Sequence, residues 1–319
     1  MFTWKSLAKP IIALSPMADM TDSSYCQIVK RLGNPIIFRE MISAEAIFRG
    51  NLKSVKMGFF DASERPIIQQ LFGSDPETMA KATKIIDEKY SPDGFDINMG
   101  CPVYKIVSNF NGAALMNDPE RAAAIVHAMK AATKKPVSVK IRLGWKDPTQ
   151  CIEFARVLEE AGADLITVHG RTKAQGYTGV ADWKAVRAVK DSVKIPVLIN
   201  GDITDSEKAR QALEESGADG IMIGRGALGN PWIFPELEAG LISGKDFTAP
   251  TPEERVKIVL AHAELHLAEY GEKAITTFRK HLGWYFKGTR GAKQIRERLV
   301  RVNSYAELES LLNEWLKDA

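Results

Sequence analysis

The sequence predicts an α/β fold: a (β/α)8 TIM barrel followed by a small all-helical C-terminal domain. Eight short β-rich runs alternate with longer amphipathic stretches, the pattern of parallel βα units. Those units occupy about 230 residues, the size of such a barrel, whose closed sheet leaves no exposed edge. After residue 235 the strand signal stops and only helical patterns follow. The expected organisation is a barrel over residues 1–235, a linker over 236–250 and a helical domain over 251–319.

The strands expected are Ile11–Ser15, Ile36–Arg39, Ile67–Leu71, Phe95–Asn98, Val137–Ile141, Leu165–His169, Val197–Asn200 and Gly220–Ile223. Between them stand helix starts such as Asp75-Pro76-Glu77, Asp118-Pro119-Glu120 and Thr204-Asp205-Ser206-Glu207, where a capping side chain precedes proline or an acid. Gly162 and Gly217 each fall just past a helix and before a buried strand, the place of a left-handed cap. Thr251-Pro252-Glu253-Glu254 opens the helical domain.

Of the 319 residues 45% are hydrophobic and 26% charged, which excludes collagen-like, disordered and coiled-coil classes. No apolar run approaches the roughly 20 residues of a membrane span, and residues 1–10 lack a signal-peptide core, so a cytoplasmic protein is expected. Cys26, Cys101 and Cys151 stand far apart, which argues against a disulfide framework or a cysteine zinc site. His262 and His266 sit four apart with no third ligand apparent, so no metal is expected.

In such a barrel the chemistry gathers at the C-terminal strand ends. Here those ends read Ser15-Pro16-Met17-Ala18, Arg39-Glu40, Gln69-Gln70, Asn98-Met99-Gly100-Cys101, Lys140 with Arg142, His169-Gly170-Arg171, Asn200-Gly201-Asp202 and Gly224-Arg225-Gly226. One polar end needs no explanation, but a polar end on every strand implies a site. Gly224-Arg225-Gly226-Ala227-Leu228-Gly229 matches G-x-G-x-x-G, yet Asn230-Pro231 interrupts the helix and no further strand follows, so a Rossmann site is rejected. Asn200-Gly201-Asp202 and Gly224-Arg225 read better as a cradle for a single phosphate, after strands seven and eight. Cys101 follows a flexible glycine and precedes a stiff proline, which presents its thiol at the mouth.

These motifs together resemble the tRNA-dihydrouridine synthases, and more narrowly their bacterial B-type (DusB-like) branch, over nearly the whole chain. The resemblance rests on Pro16-Met17-Ala18, Gln70, Asn98-Met99-Gly100-Cys101-Pro102, Lys140-Ile141-Arg142, His169-Gly170-Arg171-Thr172, Asn200-Gly201-Asp202, Gly224-Arg225 and Arg279-Lys280-His281-Leu282-Gly283-Trp284-Tyr285. It implies an FMN enzyme that uses NADPH (or NADH) to reduce the C5–C6 double bond of particular tRNA uridines. Pro16, Met17, Ala18, Gln70, Lys140, His169, Asn200, Gly201, Asp202, Gly224 and Arg225 would line the flavin. Cys101 would deliver the proton to C5, Asn98 and Arg171 would help orient flavin and uracil, and Arg142 would bind the substrate. The loop after the cysteine departs from the family pattern, with Ser108 and Phe110 where many relatives carry a basic residue and a glycine.

Lys105 beside the mouth, and Arg279, Lys280, Lys287 and Arg290 in the helical domain, are the expected tRNA contacts, because cations neutralise phosphates. His281, Trp284, Tyr285 and Phe286 are interleaved with them and could stack on bases. A monomer is expected. The alternatives are an FMN barrel reductase of a free pyrimidine or small enone, which leaves the basic domain unexplained, and a non-catalytic tRNA-binding paralogue, which leaves Cys101 without purpose.

Overall fold

The computed structural model describes residues 2–289 and 291–318. Its eight parallel strands are β1 (Ile11–Leu14), β2 (Ile36–Ser43), β3 (Ile67–Phe72), β4 (Gly94–Asn98), β5 (Val137–Arg142), β6 (Leu165–His169), β7 (Val197–Asn200) and β8 (Gly220–Ile223). They close in sequence order, with β8 paired to β1 through Ile11 and Gly220. The barrel helices are α1 (Ser23–Leu32), α2 (Pro76–Tyr90), α3 (Pro119–Ala132), α4 (Gln150–Glu160), α5 (Trp183–Ser192), α6 (Ser206–Ser216) and α7 (Ile233–Glu238). After β2 the two short helices Ala44–Phe48 and Leu52–Lys56 take the place of a long one.

β2 runs past the expected end at Arg39, with its register shifted between Arg39 and Ile42. The polar pair that signalled a strand end lies inside the protein. The Arg39 guanidinium meets the Glu64 carboxylate at 2.8 Å with both side chains buried, and Glu40 accepts the Asp19 N–H at 2.8 Å. A buried charge persists when paired and hydrogen-bonded, so the strand continues through these residues.

Alternation along the strands sorts the barrel interior into layers. Ile11, Ala13, Ile36, Phe38, Ile68, Leu165, Leu198 and Met222 fill the lower layers together with Trp4, which stacks on Phe38 at 5.8 Å. Two residues further along the same inward faces come Gln70, Thr167 and Asn200, and Asp96, Asn98, Ser138, Lys140 and His169 share that parity. The interior is therefore dry below and polar above, and the polar layers face the C-terminal mouth.

The expected linker begins inside secondary structure: α7 passes residue 235 and runs into the turn Ala239–Ser243, and its Ile233, Phe234 and Leu237 belong to the barrel core. Then follow α8 (Pro252–Tyr270), α9 (Ile275–Tyr285), α10 (Ala292–Leu299) and α11 (Tyr305–Asp318), around a second core that includes Trp232, Val259, Phe278, Leu282, Tyr285 and Phe286. A buried polar seam joins α8 and α9 to the start of α1. Asp22, His262 and His281 bring ligand atoms within 4.8 Å of one another, a cluster that shares His262 with the α8 pair but does not include His266. Both nitrogens of His262 are engaged, one with the Tyr285 hydroxyl at 3.0 Å and the other near Ser24 Oγ at 3.4 Å. Asp22 also caps α1 by accepting the Tyr25 N–H, and the Tyr25 hydroxyl donates to the Ala227 carbonyl.

Candidate active site

The mouth of the barrel holds a cavity of about 350 Å³. Pro16, Met17, Lys140, His169, Asn200, Gly201, Asp202, Gly224 and Arg225 line it. Ala18 is exposed outside the lining, and Gln70 lies buried beneath it. Tyr177 enters from the loop after β6, while Trp284 and Lys287 enter from the helical part. Sequence reading missed Tyr177. Its signal was a lone aromatic flanked by Gly176 and Gly179, both of which have positive φ.

The glycines are needed for the shape. Gly201 has φ +118°, and a Cβ there would lie 2.9 Å from Ala181 Cβ. A Cβ on Gly224 would meet only Ser15, Met17 and Asn200 atoms at 3.7 to 3.9 Å, so a side chain there would occupy the cavity itself. Beside them Asp202 bridges two cations, with Arg171 at 2.5 Å and Arg225 at 3.2 Å. Burial opposes the charge on Asp202, but hydrogen bonds from Arg171 and the Ala181 N–H hold its carboxyl below the ordinary range.

Arg171, expected to help orient flavin and uracil, has its donors engaged within the protein. It is buried, with its donors on Asp202 and on the carbonyls of Thr178 and Gly179 at 3.0 and 2.7 Å. Arg142 is similarly engaged: it donates to the Gly100 carbonyl at 2.7 Å and to those of Thr172 and Gly176 at 3.0 and 2.8 Å. It thus ties the cysteine loop to the loop after β6. Its guanidinium carbon also lies 5.4 Å from the Tyr177 ring centre.

Asn98 and Gln70 belong to a buried relay beneath Cys101. Asn98 Oδ1 accepts the N–H groups of Gly100 and Cys101 at 3.2 and 2.9 Å, and its amide donates to Gln70 Oε1 at 2.9 Å. Gln70 donates to Asp96 at 2.6 Å, and the Ser138 hydroxyl donates to the other Asp96 oxygen at 2.6 Å. Burial raises the Asp96 carboxyl to about 6 against these hydrogen bonds. Cys101 itself is partly exposed, and desolvation pushes its thiol above the usual value, whereas Cys26 and Cys151 are buried.

Lys140 donates to Asn200 Oδ1 at 2.9 Å, and Asn200 donates to the Met222 carbonyl at 2.7 Å. Burial, reinforced by the charge of Arg142, lowers the Lys140 ammonium to about 8. His169 is held well below its usual value by burial and then by Lys140, so its ring is neutral, and its buried Nδ1 has no protein partner. His169 lines the cavity, so a bound group could supply that partner.

The helical residues divide differently from expectation. Lys280 and Lys287 are exposed, but Arg279 donates to the Val302 carbonyl at 2.9 Å and to Asn303 at 2.8 Å, so it ties α9 to the end of α10. Arg290 lies outside the described residues. His281, Tyr285 and Phe286, expected as base stackers, are buried in the helical core because they fall on its inward face. Trp284 alone of the four remains partly exposed, with Lys287 Nζ 5.5 Å from its ring centre.

The family model described as "Dihydrouridine synthase (Dus)" matches residues 12–319. The chain belongs to the dihydrouridine synthase family. It is 40% identical to a "Probable tRNA-dihydrouridine synthase" from Rickettsia conorii, over 95% of this chain and 92% of that protein. It is also 40% identical to "tRNA-dihydrouridine synthase B" of Pseudomonas putida, over 90% of this chain and 86% of that one. Among solved structures, a 2-naphthoyl-CoA reductase complex aligns with a TM-score of 0.58 and 12% identity over 75% of this chain and 51% of its own, which shows the barrel fold. As a dihydrouridine synthase family member the chain is an enzyme, of the B-type branch that its Pseudomonas relatives carry in their names. No described helix of this dihydrouridine synthase is long and apolar enough to cross a membrane.

Proposed function

We propose that the chain is a cytoplasmic, monomeric tRNA-dihydrouridine synthase that binds FMN at the barrel mouth and is reduced by NADPH. The observation that carries this reading is a cavity lined by a neutral His169, a cationic Lys140 and a glycine cradle, with Cys101 outside the lining but close enough to Lys140 for each charge to act on the other. The residues fit a flavin phosphate: Gly224 leaves open backbone beside the turn that Gly201 makes, the Arg171–Asp202–Arg225 group carries one net positive charge, and Lys287 adds another from the helical part. Lys140 and His169 would face the isoalloxazine. A bound flavin would supply the hydride to uracil C6.

The chain's residues do the rest. Cys101 holds a proton on Sγ at neutral pH because desolvation raises the thiol, and it can release that proton to C5 as negative charge develops there. The relay through Asn98, Gln70 and Asp96 fixes the backbone on which the thiol turns. Lys140 would hold positive charge beside a bound flavin and so stabilise its reduced, anionic form. A stacked uridine cannot enter a barrel, so it must leave the tRNA body, and the exposed cations Lys105 and Lys280 favour the polyanion around it.

The test is nucleoside mass spectrometry on unmodified tRNA incubated with the protein, FMN and NADPH. Dihydrouridine is expected with the wild type and strongly reduced with Cys101→Ala. Bound FMN that NADPH bleaches, with no dihydrouridine formed, would move the reading to a small-molecule substrate.

A further inference from the structure

The loop that follows Cys101 is tied back to it. The Ala113 N–H donates to the Cys101 carbonyl at 3.1 Å, and Gly112, with φ +59°, is packed so closely that a Cβ there would lie 2.9 Å from the same oxygen. Whatever residues 102–112 display is therefore held at the rim of the mouth. They display aromatic surface: Tyr104 is 85% exposed and Phe110 is 55% exposed.

Phe110 has φ +58°, a left-handed conformation that glycine adopts freely and a bulky side chain rarely does. Folding gains no core packing from this placement, since the ring stands mostly in water. Strain of this kind persists where the displayed group serves function. The surroundings show what the ring could meet. The Arg121 guanidinium carbon lies 5.6 Å from the Phe110 ring centre, while the Arg121 Nε pairs with Asp118 at 3.1 Å. Lys105 is exposed on the same loop between the two aromatics, and Val103 is the exposed aliphatic neighbour of Tyr104. Ser108 and Asn109, both exposed, break the apolar surface. A protein partner would favour a continuous apolar patch, whereas isolated ring faces set among cations match unpaired bases on a phosphate backbone.

We propose that Tyr104 and Phe110 form a stacking platform for the unpaired tRNA nucleotides flanking the uridine that enters the mouth, with Lys105 and Arg121 on the adjoining phosphates. This rests on the tRNA reading above. The platform reads base faces and not base edges, so it would steer a flexible, unpaired stretch toward Cys101 with little sequence preference.

Phenylalanine 110 gives a test in which affinity and stability move in opposite directions. Phe110→Gly releases the backbone strain, so the melting temperature should hold or rise, while affinity for an unmodified tRNA transcript falls by about fivefold or more, the scale of one lost base stack. The slope of log affinity against log salt should not change. Lys105→Ala should flatten that slope by about one ion. Tyr104→Ala should weaken binding as Phe110→Gly does, and Tyr104→Phe should restore it. Wild-type affinity in Phe110→Gly, or a loss explained by a lower melting temperature, would overturn the platform. So would light scattering in which Phe110→Gly breaks a dimer, since the occupant would then be a second copy of the chain. If the wild type binds no tRNA, the functional reading fails together with the platform. If the wild type binds and Phe110→Gly binds equally, only the platform fails.

Discussion

Asn98 positions Cys101 through the backbone: its Oδ1 accepts the Cys101 N–H at 2.9 Å while its amide donates to Gln70. The side chain caps the turn on one side and is itself oriented from below by a relay that ends on Asp96. Asn98→Ala leaves two N–H groups of the turn without a partner and Gln70 Oε1 without a donor. The loss at the buried Gln70 costs about 1–3 kcal/mol, and the two part-buried N–H groups, which water can reach, cost less. We expect dihydrouridine formation to fall at least tenfold, with part of the loss in stability, measured by mass spectrometry alongside thermal melting. Asn98→Asp retains the acceptor for the Cys101 N–H but sets a carboxylate against Gln70 Oε1, and it should not rescue.

Lys140 titrates at about 8 because it is buried and faces Arg142. If its charge supports the reaction, the first alkaline loss of kcat/KM falls near that pH. The Cys101 thiol, raised by desolvation, loses its proton only at higher pH. Lys140→Arg keeps the charge and should move the first alkaline limb upward, whereas Lys140→Met should lower the rate across the range and abolish that limb. For stability the sign is opposite. A lysine whose folded value lies below its unfolded one releases its proton earlier when folded, so its burial penalty is relieved as pH rises from about 8 toward about 10.5.

Much of the site could be read from sequence because its residues end strands. Gln70, Asn98, Lys140, His169 and Asn200 all fall on the inward parity of strands whose lower inward positions are largely apolar, so two-residue alternation places them at one mouth. Cys101 stood out for its neighbours Gly100 and Pro102. What could not be read is which partner each polar group takes. Arg171 and Asp202 are 31 residues apart, and Arg142 bonds to carbonyls up to 42 positions away, so nothing local indicated that these guanidiniums are tied to the protein. The aromatics of α9 show the same limit. His281 and Tyr285 share a helical face, but whether that face turns to core or to solvent depends on α8 and α1, which the local pattern does not specify.

Lys287 tests whether the helical part helps hold the cofactor. It was expected on the tRNA, and it lines the cavity beside Arg225 and Gly226. A flavin phosphate carries more negative charge than the single net positive charge of the Arg171–Asp202–Arg225 group can balance. Lys287→Ala should therefore weaken FMN binding by about tenfold, the scale of one charge-assisted hydrogen bond. Riboflavin, which lacks the phosphate, should bind wild type and variant alike. Flavin fluorescence measures both, and an equal loss for the two ligands would show that Lys287 acts on the ring or on the fold.

Asp202 tests the buried charge beneath that cradle. Arg171 is almost entirely buried and has Asp202 as its carboxylate partner, so Asp202→Ala leaves a cation in the interior with only carbonyls around it. Breaking a buried pair from one side costs about 3–5 kcal/mol, and the partial exposure of Asp202 places this case toward the lower end. Arg171→Met added to Asp202→Ala should recover part of the loss, since the uncompensated charge is then gone; a double-mutant cycle in denaturant gives the coupling. The pH dependence follows from the lowered carboxyl. Its contribution is complete above the unfolded value of 3.8 and is lost as pH falls through the lower folded value. The wild type should therefore lose stability relative to Asp202→Ala on acidification below about pH 4. A constant difference between the two down to pH 2 would show that the Arg171 pair does not set the charge state of Asp202.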